Sequence, residues 1–175
     1  MSGGRGIGAG SVALLVILVL VLLSGNRGSE PDPEAGAGER VVGADVTRVV
    51  DGDTIEVDLG GAEEDVRYIG IDTPETVKPD APVECFGPQA SERNHELVDG
   101  RRVRLVFDRE RRDAYGRLLA YVYVGDRFVN AKLIEGGYAR TLEIEPNTAH
   151  AAQLDELQQQ AADAGRGLWG ACATP

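Results

Sequence analysis

Lysine is almost missing from this chain of 175 residues: Lys78 and Lys132 are the only two, and arginine supplies the rest of its 18 basic side chains. Positive charge is short overall, with 29 Asp and Glu and a formal net charge of −11. Since Lys and Arg provide most non-specific affinity for nucleic acid, bulk charge gives no case for it. An acidic, lysine-poor surface also suits a high-salt habitat or a GC-rich genome, so net charge speaks to solubility and only the local pattern speaks to function. Histidine occurs twice, at His95 and His150, too sparsely for an imidazole metal site. No internal repeat is present.

What the chain does have begins with residues 12–23, an unbroken apolar run within a charge-free stretch at 7–25. That stretch approaches the ~20 residues of a bilayer span. Arg5 before it and acids after it predict a short N-terminus inside and the remainder exported. Residues 1–25 are therefore read as a signal anchor or a cleaved signal peptide, and the lack of a nearby cysteine excludes a lipoprotein anchor. Residues 26–43, rich in Gly, Pro and Glu, read as a flexible acidic stalk, with a folded domain over 44–173. Cys85 and Cys172 fall in the exported part, where an even count favours one disulfide over two free buried thiols.

The domain opens with strands at Val46–Val50 and Thr54–Leu59 around an Asp51-Gly52-Asp53 hairpin turn. A third strand follows over Asp65–Ile71, closed by Pro74. Pro88 suits the first turn of a helix through Gln89–Val98, and strands are expected at Val103–Phe107 and Leu118–Val124. Asn130 and Asn147 are candidate caps for a short helix at Ala131–Glu135 and a longer one closed by Gly165. Strands first and helices later make an α+β chain, fitting a small antiparallel barrel decorated by helices rather than a parallel sheet.

Chemistry concentrates between Asp51 and Glu75. Asp53 ends the first hairpin and Asp72 the third strand; if those strands are neighbours, both carboxylates reach one barrel edge. Such oxygen donors suit a hard cation, Ca²⁺ or Mg²⁺. Arg67 lies five residues before Asp72, an odd offset that needs a bend or bulge to aim both at one site. Glu75, past Pro74, is placed to act as general base or to orient water. Arg117, in Asp-Ala-Tyr-Gly-Arg at 113–117, offers a second fork of donors, and two guanidiniums could stabilise a pentacovalent phosphorus. The alternatives are an Asp that only serves its turn and arginines in surface ion pairs. The arginines at 101, 102, 104, 109, 111 and 112 either track a nucleic-acid backbone or form a solvated strand edge.

Five segments taken together, Val-Asp-Gly-Asp-Thr, Arg-Tyr-Ile-Gly-Ile-Asp-Thr-Pro-Glu, Phe-Gly-Pro-Gln-Ala-Ser, Asp-Ala-Tyr-Gly-Arg and Gly-Leu-Trp, closely resemble the thermonuclease (staphylococcal-nuclease-like) family from about Asp45 to Trp169. The resemblance implies a five-stranded OB-fold β-barrel with three helices, preceded here by the N-terminal hydrophobic helix, and a Ca²⁺-dependent nuclease acting on DNA and RNA. It implies Asp53 and Asp72 as Ca²⁺ carboxylates with the Thr73 carbonyl, Arg67 and Arg117 as phosphate clamp, Glu75 for the water, and Tyr115 as a substrate hydrogen-bond donor. Leu142 and Ile144 stand where known members carry tyrosines that hold a nucleotide, and Asp80, Ala81 and Ala114 where they carry lysines. Fewer cations and less stacking predict weaker substrate binding around intact chemistry. The expected protein is a monomeric extracellular nuclease, secreted or held to the membrane by residues 7–25 if these are not removed. The alternative is a non-catalytic module of the same fold that binds nucleic acid or protein.

Overall fold

The structure, a computed structural model, describes Met1, Gly3, residues 40–76 and residues 82–172. Residues 7–25, the expected stalk up to residue 39, and Asp80 and Ala81 lie outside the described residues. Among the described residues no helix is long and apolar enough to cross a membrane. All elements that follow belong to the unit Ala37–Pro175.

In chain order the elements are β1 (Arg40–Val49), β2 (Thr54–Asp58), β3 (Glu63–Tyr68), β4 (Gly70–Asp72), α1 (Gly87–Val98), β5 (Arg102–Phe107), β6 (Leu118–Val124), β7 (Arg127–Phe128), α2 (Val129–Glu135), β8 (Arg140–Leu142), α3 (Ala151–Asp163) and α4 (Leu168–Ala171). Strands β1, β2 and β3 form an antiparallel meander, β5 returns antiparallel to β1, and β6 to β5. A parallel pairing of β3 with β6, Val66 against Leu118 and Tyr68 against Ala120, closes five strands into a barrel. Closure removes the exposed edges that an open sheet would present. This is the five-stranded OB-fold barrel, with α1, α2 and α3 packed around it.

Alternation decides what fills it. Ile55 and Val57 on β2, Val66 and Tyr68 on β3, Val103 and Leu105 on β5 and Ala120 and Val122 on β6 are all buried, two residues apart on each strand. Leu97 and Val98 of α1, Leu133 and Ile134 of α2 and Leu154 of α3 complete the same cluster. Each such side chain, fully buried, contributes about 1.5–3 kcal/mol relative to exposure.

Several boundaries differ from expectation. The barrel begins at Arg40 rather than Ala44, because Arg40–Ala44 pair with Val103–Phe107 and the stalk-like composition hides that ladder. The single strand expected at Asp65–Ile71 is two, broken at Ile69–Gly70 with Gly70 at φ +80°. There Ile69 N–H still bonds Ala120 O, but its carbonyl is claimed by Asn130 Nδ2 at 2.8 Å. Asn130 is therefore no helix cap: fully buried inside α2, its Oδ1 also accepts Val122 N–H at 2.9 Å. Nor does Asn147 cap α3, which starts after His150; its amide binds both backbone groups of Glu110 at 2.8 Å. In both cases an unsatisfied backbone group elsewhere outcompetes the local cap.

The C-terminus is tied down twice. Leu168 is buried with its N–H on Gly137 O, and Cys172 is disulfide-bonded to Cys85, 87 residues away. Closing a loop of that length removes denatured-state entropy worth about 4–5 kcal/mol.

Candidate active site

The break between β3 and β4 builds the site. With Gly70 turning the chain, Arg67 and Asp72 face each other despite their odd spacing: Arg67 Nη2 donates to Asp72 Oδ1 at 2.7 Å. Its Nη1 donates to Ile71 O at 2.9 Å and Tyr68 O at 3.2 Å, and lies 3.1 Å from Asp53 Oδ1. One guanidinium thus stands between the two carboxylates that the sequence suggested would meet.

Asp53 is held from every side. It is only 4% exposed, its Oδ2 accepts Thr73 N–H at 2.6 Å and Thr73 hydroxyl at 3.0 Å, and its Oδ1 accepts the Thr54 hydroxyl at 3.2 Å. Gly52 permits this closeness, since a Cβ there would lie 2.7 Å from Thr73 Oγ1. Burial pushes the Asp53 carboxyl up to about 6, with Asp51 adding to the rise, against the opposing pull of Arg67 and Thr73. Three carboxylates, Asp51, Asp53 and Asp72, thus share one guanidinium here. Asp72 is more open, and among the described residues its Oδ2 has no recorded partner.

The turn carrying Asp53 is anchored from behind by a residue that the sequence reading passed over. Asn94 on α1, fully buried, donates from Nδ2 to Asp51 O at 2.9 Å and accepts the Tyr68 hydroxyl at 3.0 Å. Burial holds the Tyr68 phenol well above its usual range, so it stays a donor. The signal was available: Asn94 shares the inward stripe of α1 with Ala90, Leu97 and Val98, and a polar residue there must find partners.

Arg117 lines a cleft of about 420 Å³ that also takes in Arg67, Tyr115, Leu119, Leu142 and Ile144, with Arg67 paired in register to Leu119 just beyond it. Its position comes from Asp113, whose Oδ2 lies 2.7 Å from both Nε and Nη2, while Asp113 Oδ1 accepts the N–H of Tyr115 and of Arg117. Burial alone would raise the Asp113 carboxyl, but Arg117 and these N–H groups outweigh it and hold it below its usual range. Gly116, at φ +89°, allows the turn. Tyr115 stands 87% exposed at the rim.

Glu75 is half-buried in the loop past Pro74, with Oε1 accepting Thr76 N–H at 2.9 Å, and is not among the residues lining the cleft. In the arginine run Arg102 pairs with Asp45 and Arg112 with Glu64, while Arg104 and Arg111 lie over the rings of Tyr123 and Phe107. Among the described residues no three His, Cys, Asp or Glu side chains form a ready cation cage. The all-oxygen donor set of Asp53, Asp72 and Thr73, short of countercharge, nevertheless fits a hard divalent ion.

The fold is a small OB barrel with arginines and carboxylates gathered on one flank, and comparison with known proteins shows its family. Residues 65–171 match the family described as staphylococcal nuclease homologue. The chain is 45% identical over 124 residues to a thermonuclease of Staphylococcus intermedius, covering 71% of this chain and 74% of that one. A thermonuclease of Staphylococcus hyicus is 42% identical over 124 residues, 71% and 73% of the two chains. Endonuclease YncB of Bacillus subtilis is 43% identical over 133 residues, 75% of this chain and 63% of that protein. The chain belongs to the staphylococcal nuclease family.

Proposed function

We propose that this protein is an exported nuclease that hydrolyses phosphodiester bonds of DNA, RNA or both with Ca²⁺ as its cation. The single observation carrying this reading is the placement of Arg67, next to Asp53 and Asp72, in the lining of the same cleft as Arg117. Relatives named thermonuclease and endonuclease support the reaction class.

Asp53, Asp72 and Thr73 are the residues that would hold Ca²⁺, which supplies positive charge against non-bridging phosphate oxygens. Arg67 and Arg117 grip the same phosphate with charge-assisted hydrogen bonds that strengthen as negative charge grows on phosphorus. Arg117 keeps Nη1 for this role, since its Asp113 contacts use Nε and Nη2. Glu75 accepts a proton from water as the new O–P bond forms. The ester P–O bond on the opposite side breaks, and the leaving oxygen takes a proton from solvent. Tyr115 donates its hydroxyl to a substrate phosphate from the cleft rim. Export rests on residues 7–25, as anchor or removed signal, and the nuclease acts as a monomer.

The purified protein should degrade denatured DNA and RNA with Ca²⁺ and stop on chelation. Glu75→Gln should lose at least about 100-fold in kcat. Activity that persists under chelation, or an undiminished rate in Glu75→Gln, refutes this mechanism.

A further inference from the structure

The β4–β8 ladder has two ends, and only one belongs to the cleft. Gly70 and Leu142, paired in register, line the cleft, whereas Asp72 and Arg140, paired at the other end, line a separate surface hollow of about 200 Å³. Thr73, Glu84 and the Cys85–Cys172 bridge form its other walls. The two acids in the hollow are already engaged, Asp72 with Arg67 and Glu84 Oε2 with Glu75 N–H at 3.2 Å.

Arg140 is engaged differently. Arg48, Arg67, Arg93, Arg102, Arg112 and Arg117 each hold a carboxylate; of the described arginines that do not, Arg140 is the one that lines this hollow beside Asp72. Its guanidinium instead lies over the Trp169 ring, 4.8 Å from the centroid. A flat indole face fixes the plane of the cation while leaving its N–H edge for an acceptor, so little rotamer freedom remains to be lost on binding an anion.

We propose that Arg140 forms a second phosphate subsite, which takes the next phosphate of a polynucleotide whose scissile phosphate lies between Arg67 and Arg117. This inference rests on the nuclease reading. Arg140 is the cross-strand partner of Asp72, whose Oδ1 holds the Arg67 guanidinium, so the hollow adjoins the phosphate clamp. The subsite binds by charge and hydrogen bonds to phosphate oxygens, so it is indifferent to base. It gives a lysine-poor protein a phosphate contact outside the main cleft.

Arg140→Gln tests it on two substrates: a single-stranded DNA oligonucleotide, and a nucleoside nitrophenyl phosphodiester that carries one phosphate only. The expected result is a loss of about tenfold in kcat/KM on the oligonucleotide, with its salt dependence shallower by about 0.7 in log–log slope. The one-phosphate substrate should be cleaved as by wild type, and Arg140→Lys should recover part of the loss. Equal losses on both substrates would mean that Arg140 only supports the fold, and no loss on either would mean no subsite; both overturn the proposal. If wild type cleaves neither substrate, the nuclease reading fails. The subsite is then judged by oligonucleotide binding in fluorescence anisotropy, standing if Arg140→Gln weakens it about tenfold and falling if affinity is unchanged.

Discussion

Replacing Asn94 by alanine should cost this protein a large part of its stability and displace its buried carboxylate, although Asn94 does not itself line the cleft. The side chain is fully buried and serves two partners at once, Asp51 O at 2.9 Å and the Tyr68 hydroxyl at 3.0 Å. Alanine orphans both in a dry interior, and each buried group left without a partner costs about 1–3 kcal/mol. The sum, about 4 kcal/mol, is a substantial part of the 5–15 kcal/mol typical of a folded domain. Tyr68→Phe orphans only Asn94 Oδ1 and should cost about 1–2 kcal/mol. In the double variant the hydroxyl is already gone and Asp51 O alone remains unsatisfied. The two substitutions should therefore be less than additive by about 3–4 kcal/mol. Urea denaturation of all four proteins in chelator measures the cycle, and the same proteins assayed with Ca²⁺ report the site. If the double variant equals the sum of the singles within about 0.5 kcal/mol, the hydrogen-bonded chain from helix to turn is not what holds Asp53 in place.

Two further outcomes follow from the same geometry. Gly70→Ala should destabilise by about 2–4 kcal/mol, since φ is +80° and the new Cβ would lie 2.7 Å from Leu154 Cδ1; thermal denaturation measures this, and a wild-type melting temperature would contradict it. The pH dependence should run opposite to that of an ordinary paired carboxylate. Because burial raises Asp53 to about 6, the folded protein binds a proton there more readily than the unfolded chain. In chelator, the penalty from charged Asp53 is fully present above pH about 6 and is relieved as pH falls toward the ordinary carboxylate range near 4. Stability relative to Asp53→Asn should then rise on acidification across that window, by at most about 3 kcal/mol, and a flat or falling difference would contradict it.

The parts of the site carried by local motifs were legible. Asp51-Gly52-Asp53 requires a tight turn, Pro74 ends a strand, and Asp113 to Arg117 form a Gly-containing turn; each follows from backbone chemistry within a few residues. The odd spacing of Arg67 and Asp72 even required a bend, which Gly70 supplies. Helix caps were not legible. Asn130 and Asn147 have the right chemistry for caps, but the fold offered Asn130 the backbone groups of Ile69 and Val122 and Asn147 those of Glu110. Strand β1 was read short because its first residues look like linker until the ladder with β5 exists.

Composition, alternation and five short motifs determined by themselves the α+β class, the barrel and the identity of the charged residues that line or adjoin one cleft. Those properties depend on side-chain type and near-neighbour spacing. Tertiary structure alone decided that Arg67 stands between Asp53 and Asp72, that Asn94 braces their turn from another element, that Asp113 fixes Arg117, and that Arg140 emerges beside Asp72 at the far end of a two-strand ladder. Each of those contacts joins residues whose proximity is set by barrel closure, helix docking or a turn's exact path, and no local sequence signal encodes such a distance.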